Sequence, residues 1–378
     1  MAPANSGDSR DRYVMCLWAL HVGLLPNESI SSWIIRAALM QGCDPLTLTG
    51  YVWPRWRAWT LDLDRGIKNE RLEILSQVSG IPVAVFEQAS LQNTVELIAG
   101  HRLESNGTWP WVLALGSRNR KRVAGMQYCP ACLFDDSKPY FRKGWRFAWQ
   151  TACLHHKVRL LDRCWSCGAP VEPHRLQAND RHLAICVECK ADLHKAQRIP
   201  INQITRNFQI NAEAVILNAR GLYNTETISS HEWFALARFF TGMIRYCARN
   251  QASNIAKALF ELRVSMALDD SPPIFSLPLE MLSPEHRETL FTSVAELMAF
   301  SGQDLFYAFN NAGVSKNSLQ AISRTLPTTF NLVTDRLPVN KRLTRIKRRD
   351  RCKTPKSKRS VLMSWARLQR KIGPISDE

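Results

Sequence analysis

The chain of 378 residues reads as a mainly α-helical protein: helical N- and C-terminal domains flank a small central module rich in turns. Three observations predict this. Apolar residues recur at three- and four-residue spacing before residue 100 and again after residue 199, the period of helices with one buried face. Between Cys129 and Cys189 that period gives way to four evenly built pairs: Cys129-x2-Cys132, Cys153-x2-His156, Cys164-x2-Cys167 and Cys186-x2-Cys189. Beyond Arg336 apolar residues thin out, and Asp350 is the only acid in a run of lysines and arginines reaching Lys371. The expected organisation is residues 1–125 helical, 126–195 the paired module, 196–335 helical, and 336–378 a basic tail.

Composition narrows the function classes. A hydrophobic content of 45% is ordinary for a globular chain and excludes disorder as the main state. A net charge of +17 and a pI near 9.7 favour an anionic partner, of which nucleic acid is the commonest. Eleven cysteines in so long a chain, most of them in the pairs, fit a reducing compartment where thiolates bind metal instead of forming disulfides. Cys16, Cys43, Cys247 and Cys352 follow no pattern. The apolar run Val14–Leu25 follows Asp8 and Asp11 and ends without a small-residue cleavage site, so it is expected to be core and not a signal peptide. No run approaches the roughly 18 apolar residues of a membrane span, and a soluble, cytoplasmic protein is expected.

Taken in order, the first helix is expected around Ile30, Trp33, Ile34 and Ala37, ending at Gly42, with Asn27 as its cap and Glu28 favoured by the helix dipole. Trp53, Trp56 and Trp59 are expected to anchor packing. Residues 69–91 read helix, turn, helix, with Gly80 at the stop and Pro82 opening the second helix. That second helix offers Glu87 and Gln88, and no Lys or Arg lies between Leu72 and Gly100. A DNA-reading helix needs cations for the phosphates, so a structural or protein-binding hairpin is the better expectation. Arg118, Arg120, Lys121 and Arg122 form a basic loop before the module and are candidate phosphate contacts. Tyr140, Phe141, Trp145, Phe147 and Trp149 are expected to cover the module, which is too small to own a large core.

From Ile199 to Asp335 the pattern is helical throughout. Glu232–Tyr246 and Glu285–Phe300 carry apolar faces, Asp270-Ser271-Pro272-Pro273 breaks the series, and Asp304–Phe309 with Ser315–Leu326 suggests another helical hairpin followed by Arg324. In the tail, Lys341, Arg342, Arg345, Lys347, Arg348 and Arg349 are candidate nucleic-acid contacts. Val361, Leu362, Trp365 and Leu368 form a short apolar stripe that suits nucleic acid or a partner groove better than a membrane.

The paired residues carry the chemistry. A two-residue spacer lets one tight turn aim two side chains at one cation, and two such turns complete the tetrahedral S/N shell preferred by zinc. Eight ligands make two closed shells, so two structural Zn2+ per chain are expected. The sequential division, Cys129, Cys132, Cys153 and His156 against Cys164, Cys167, Cys186 and Cys189, leaves the second set a self-contained ribbon. A cross-braced division satisfies the same chemistry. His155 competes with His156 for the first shell, and equal spacing favours His156; His174, His182 and His194 are spare. A closed shell has no open position for water and therefore does not catalyse. The chain also lacks a GxxxxGK[ST] loop, an HExxH helix, a GxSxG elbow and the His-x-Glu element of zinc deaminases.

Together, Leu25-Pro-x-Glu28-Ser29-x-x-Ser32-Trp33-x-x-Arg36, Tyr128-Cys129-Pro130-x-Cys132, Trp145 through Trp149, Cys153-x-x-His156, Leu160, Cys164-x-x-Cys167-Gly168 and Cys186-x-x-Cys189 resemble the TniQ/TnsD transposition proteins. The likeness covers roughly Leu25 to Leu193, and the chain's length is similar to that of the shorter TniQ type. The resemblance implies a bacterial target-selection adaptor without transposase activity. Such adaptors link target DNA, or an RNA-guided CRISPR Cascade complex, to an AAA+ ATPase of the TnsC/TniB kind. It also implies structural zinc and a homodimer. The alternative is a self-sufficient, sequence-specific zinc-containing DNA-binding protein, either a TnsD-like reader or a transcription regulator.

Overall fold

The computed structural model describes residues 17–104, 109–115, 126–265 and 277–339, together with Ser357, Lys358, Val361, Leu362 and Trp365. Residues 1–338 form one compact unit and 339–378 a second. Among the described residues the fold is mainly helical, with only two small antiparallel hairpins.

The first helices are α1 (Ile30–Met40) and α2 (Pro45–Val52), followed by α3 (Asn69–Ser79), α4 (Val83–Ala89) and α5 (Gln92–Ala99). Helix α1 is capped two residues later than expected. Ser29, not Asn27, accepts from the Ser32 N–H, while Asn27 takes a left-handed turn at φ 56° that delivers the chain into the cap. Glu28 does more than face a helix dipole. Its buried carboxylate accepts from Arg36 Nε at 3.0 Å and Nη2 at 2.6 Å, from the Ser32 hydroxyl and from the Leu25 N–H. Arg36 also donates to the Gly23 carbonyl. The Glu28/Ser32/Arg36 spacing is thus a closed network that fixes how the chain enters α1.

Trp33, Ile34, Ala37, Leu48, Val52, Trp53, Leu72, Leu75, Val78 and Phe86 belong to the first core. Trp53 meets Trp56 edge to face, Arg71 lies over Trp56, and Trp59 packs on this core and stacks on His174, so these tryptophans do anchor packing. The stretch preceding α1 is less buried than expected: Val22 is in the core, but Leu17 and Leu20 are exposed. The segment is held to the core through Trp18, whose ring stacks on Trp33 and whose backbone N–H donates to the Val78 carbonyl, and this leaves the neighbouring Leu17 and Leu20 in solvent. Helices α3 and α4 meet at Gly80, left-handed at φ 72°. Ala84, Val85, Glu87 and Gln88 are the exposed residues of α4.

The central module holds α6 (Pro130–Asp135) and a minimal hairpin, β1 (Ala152–Cys153) against β2 (Val158–Arg159). Its core combines Tyr128, Leu133, Phe141, Trp145, Leu160, Leu176, Leu183 and Leu193 with Ile35 from α1. The expected aromatic cover is divided. Phe141 and Trp145 serve the module, whereas Phe147 and Trp149 stack on each other inside the C-terminal core. Tyr140 donates to the Pro26 carbonyl.

The C-terminal core is built on α7 (Gln203–Asn218), α8 (Ser230–Arg249), α9 (Asn254–Glu261), α10 (Pro284–Ala299), α11 (Gly302–Asn311), α12 (Lys316–Gln320) and α13 (Asn331–Thr334). The all-helix reading of this region needs two corrections. A β-hairpin, β3 (Arg220–Tyr223) paired with β4 (Glu226–Ser229), separates α7 from α8, turning at Asn224 and Thr225, both with positive φ. This two-residue turn with two left-handed positions matches the natural twist of a hairpin. The expected Ser315–Leu326 helix spans only Lys316–Gln320: the Ser323 N–H still donates to the Leu319 carbonyl, but the Ser323 hydroxyl donates forward to the Thr325 carbonyl, and Pro327 disfavours helix at the residue before it.

Residues preceding the module also enter this core. Val95 and Ile98 of α5, with Trp109, Trp111, Val112 and Leu113, pack in it beside Phe234 and Phe291. In the second unit, Val361, Leu362 and Trp365 are helical and more than half exposed. The Asp270–Pro273 break, Leu368, Cys16 and Cys352 lie outside the described residues.

Candidate metal centre

Each ligand pair is carried by a local turn that the sequence dictates. Cys129 caps α6, with Pro130 at the first helical position and the Cys132 N–H directed at Cys129 Sγ, 3.4 Å away. Cys153 ends β1, and its carbonyl accepts from Lys157, which turns left-handed at φ 56° to start the return strand. The last two turns repeat one design. In the first, Cys164 exchanges backbone bonds with Gly168 and Ala169; in the second, Cys186 does so with Lys190 and Ala191. Gly168 at φ 68° and Lys190 at φ 58° supply the left-handed residue in each. Glycine takes that conformation without a Cβ penalty; at the other turn a lysine tolerates it.

These turns bring the side chains together in the sequential arrangement. Cys129, Cys132, Cys153 and His156 form one group, and Cys164, Cys167, Cys186 and Cys189 the other, with ligand atoms in each group within 4.8 Å of one another. His156 Nδ1 stands 3.6, 3.3 and 3.4 Å from the sulfurs of Cys129, Cys132 and Cys153. Sulfur–sulfur separations are 3.5 Å for Cys132–Cys153, 3.7 Å for Cys164–Cys189 and 3.6 Å for Cys167–Cys186. Zn–S bonds of about 2.3 Å and Zn–N bonds of about 2.0–2.1 Å in a tetrahedron require edges of about 3.8 Å for S···S and about 3.6 Å for S···N. Both groups therefore have the size and shape of a zinc shell. Chemically, too, three or four thiols crowded this closely call for a cation. Hydrogen bonding from Cys129 and Cys132 draws the Cys153 thiol far below its ordinary range, while the same crowding by Cys129 and Cys153 drives Cys132 far above its own.

The outer contacts agree with this fit. His156 Nε2 lies 2.7 Å from Asp135 Oδ2, so the carboxylate holds the proton on Nε2 and leaves the Nδ1 lone pair facing the three sulfurs. His155 is exposed and only packs edge to face on His156. His174, His182 and His194 stay outside both groups: His174 stacks on Trp59, His182 faces Asp192 and His194 lies beside Phe134. Asp135 escapes a reading of spacings because nothing local ties it to His156; its one signal is its place at the end of the helix that Cys129 caps.

The module is tied to the first core through a buried cluster. Arg146, 1% exposed at its side chain, donates to Asp62 at 2.8 Å and to Asp64 at 2.5 Å, and also to the Leu113 carbonyl. Asp64 in turn accepts from the Ser31 N–H and hydroxyl at the start of α1. Arg146 holds Asp62 below the usual carboxylate range against the opposing effect of burial, while burial and the neighbouring Asp62 raise Asp64. On the other side Arg287, buried in α10, donates to Gln127 Oε1 at 2.6 Å and to the Ala148 carbonyl.

The basic residues expected to contact nucleic acid, Arg118, Arg120, Lys121 and Arg122 in the loop and Lys341, Arg342, Arg345, Lys347, Arg348 and Arg349 in the tail, lie outside the described residues. Among the described residues no helix is long and apolar enough to cross a membrane.

Comparison with known protein families matches residues 19–160 to TniQ. The match spans the Glu28/Ser32/Arg36 network and the whole of the first Cys/His group. Comparison with curated proteins returns no match.

Proposed function

We propose that this chain, which matches TniQ over residues 19–160, is a transposition-associated, non-catalytic adaptor. It links target DNA, or an RNA-guided Cascade complex, to an AAA+ regulator of the TnsC/TniB kind, acting as a homodimer in the bacterial cytoplasm. Residues 126–195 are its rigid hub, and each Cys/His group holds one structural Zn2+. The observation that carries this reading is that all eight ligands are consumed in two sets of four inside and beside a TniQ domain. Four protein ligands leave a zinc ion no place for a reacting water. Function then rests on the surfaces that the hub orients.

The self-sufficient DNA reader is the weaker alternative, since the exposed face of α4 offers Ala84, Val85, Glu87 and Gln88 and no cation for phosphate. Two measurements test the proposal. Elemental analysis should find two zinc ions per chain, and none or one would overturn the metal assignment. The purified protein should capture the AAA+ ATPase encoded beside it and bind DNA with little sequence preference. Failure to bind that ATPase, together with one DNA sequence bound thousands-fold above random DNA, would replace the adaptor with the reader.

A further inference from the structure

Between helix α7 and the β3–β4 hairpin runs a groove that lies outside both the metal centre and the residues matched to TniQ. Two pockets, of about 600 and 280 Å³, share Asn211, Leu222 and Trp233 and so run together. One wall is a single face of α7, carrying Ile204, Asn207, Asn211, Val215 and Asn218 at three- and four-residue steps. The other wall is Arg220–Leu222 of β3, extended by Met298 and Ala299 at the end of α10. At about 1.5 Å of rise per residue the α7 wall is about 21 Å long, the span of about six residues of extended chain.

The floor is apolar but carries an unanswered donor. Trp233, 4% exposed, lines both pockets. A Cβ at Gly221 would come within 2.7 Å of Trp233 Cδ1, so the Cδ1–Nε1 edge of the indole is the one turned to β3. Its N–H has no hydrogen-bond partner among the described residues. Buried donors are nearly always paired, and this one calls for an acceptor supplied from outside. The exposed side chains of Asn211 and Asn218 are likewise unpartnered, and each offers a donor and an acceptor, the same pair that a peptide group carries. Strand β3 has no neighbour on its other edge. Because Tyr223 and Glu226 close the two-residue turn, the N–H and C=O of Leu222 point away from β4. Among the described lining residues Arg220 alone is charged, and it is exposed and in no ion pair.

We propose that this groove binds an extended peptide segment of a partner protein, about six residues long, with apolar side chains over Trp233 and Leu222 and an acidic residue at Arg220. A main-chain carbonyl of the peptide answers the Trp233 N–H, while its other peptide groups meet the Asn211 and Asn218 amides and the open edge of β3, as in strand addition. Leu222, 70% exposed, is covered when the peptide is in place. Charge selects this class of partner: one cation suits one carboxylate, whereas nucleic acid needs a row of cations for its phosphates. Two copies meeting through this face about a twofold axis would set a concave surface against itself and leave the indole N–H unpaired. The inference rests on the shape and donors of the groove, so it stands whether or not the adaptor reading does.

The test is selection of a random hexapeptide library, displayed on phage, against the full chain, followed by fluorescence polarisation with the selected peptides after labelling. Selected sequences should combine apolar residues at alternate positions with an acidic one. Leu222→Ser and Arg220→Gln change exposed side chains and should leave the melting temperature unaltered. Leu222→Ser should weaken the selected peptides about tenfold or more, and Arg220→Gln about two- to fivefold. Trp233→Phe keeps the ring but removes the N–H and should cost about two- to tenfold. Arg57→Gln, an exposed arginine elsewhere, should change nothing. A library from which no sequence is enriched overturns the proposal, as do selected peptides whose binding Leu222→Ser and Arg220→Gln both leave intact. So does a dimer of the native chain that Leu222→Ser dissociates, since that outcome assigns the face to a second copy.

Discussion

Replacing Arg146 with methionine tests the joint between the first core and the metal-binding hub. The guanidinium serves Asp62, Asp64 and the Leu113 carbonyl at once. Both carboxylates are almost fully enclosed, at 10% and 0% side-chain exposure. Methionine retains much of the volume but leaves the two acids facing each other, and breaking one side of a buried pair costs about 3–5 kcal/mol. At about 2–4 °C per kcal/mol for a domain of 150–250 residues, the melting temperature should fall by about 6–20 °C. The pH dependence separates this cause from simple loss of packing. Asp64 is raised in the folded protein by burial and by Asp62; without Arg146 it should rise further, and Asp62 should lose the main attraction that holds it down against burial. An acid raised on folding binds its proton more readily folded than unfolded, so its stabilisation is present at low pH and lost as pH climbs from the unfolded value through the folded one. The deficit of R146M should therefore be larger at pH 8 than at pH 5. A loss below about 1 kcal/mol, or a deficit that does not shrink on acidification, would refute the view that the cluster is an electrostatic clamp.

Further outcomes follow from the same geometry. Asp135→Asn removes the carboxylate that orients His156 and should weaken metal binding at the first group by about 10–100-fold, read by competition with a chelating dye; unchanged affinity would show that Asp135 does not set the tautomer. Gly221→Ala would place a Cβ 2.7 Å from Trp233 Cδ1 and Val215 Cγ2, so thermal melting should register a loss of about 1–3 kcal/mol, and a neutral result would mean the β3–β4 hairpin is not seated as described. Burial holds His174 below its ordinary value; a base lowered on folding keeps its stabilisation above the unfolded value near 6.5 and loses it as pH falls toward the folded one. His174→Phe preserves the stack on Trp59 and removes the titration, so it should lose less stability than the native protein between about pH 7 and pH 5; parallel melting curves would count against the stack.

What could be read in advance was whatever the chain encodes over a few residues. The ligand pairs are such features: a spacer of two residues is a complete local instruction, and the matching Cys164 and Cys186 turns differ only in using Gly168 or Lys190 at the left-handed position. The long amphipathic helices were equally legible, since Trp233, Phe234, Leu236, Ala237, Phe240 and Ile244 are all buried on α8. The β3–β4 hairpin was missed because its turn, Asn224-Thr225, lacks the glycine that usually announces such a bend and its strands are only four residues long. Ser29 displaced Asn27 as the cap for a reason of geometry, because only one of two plausible side-chain oxygens can accept from the Ser32 N–H. No local pattern links Asp62 to Arg146 or Trp111 to Glu280, which are 84 and 169 residues apart. Such contacts exist only once distant segments have packed.

The placement of α5 and of Trp109–Leu113 in the C-terminal core has a consequence for how the chain comes off the ribosome. These segments are made well before α8 and α10, whose Phe234 and Phe291 pack against Trp111. During synthesis the first core and the metal-binding hub have all their own residues while Trp109, Trp111 and Trp149 are still waiting for a roof. A nascent chain halted between residues 200 and 280 should therefore display a set of large, unpaired indole rings and recruit chaperones more strongly than either a shorter or a finished one. Cutting the gene at the edge of the hub would make that temporary exposure permanent.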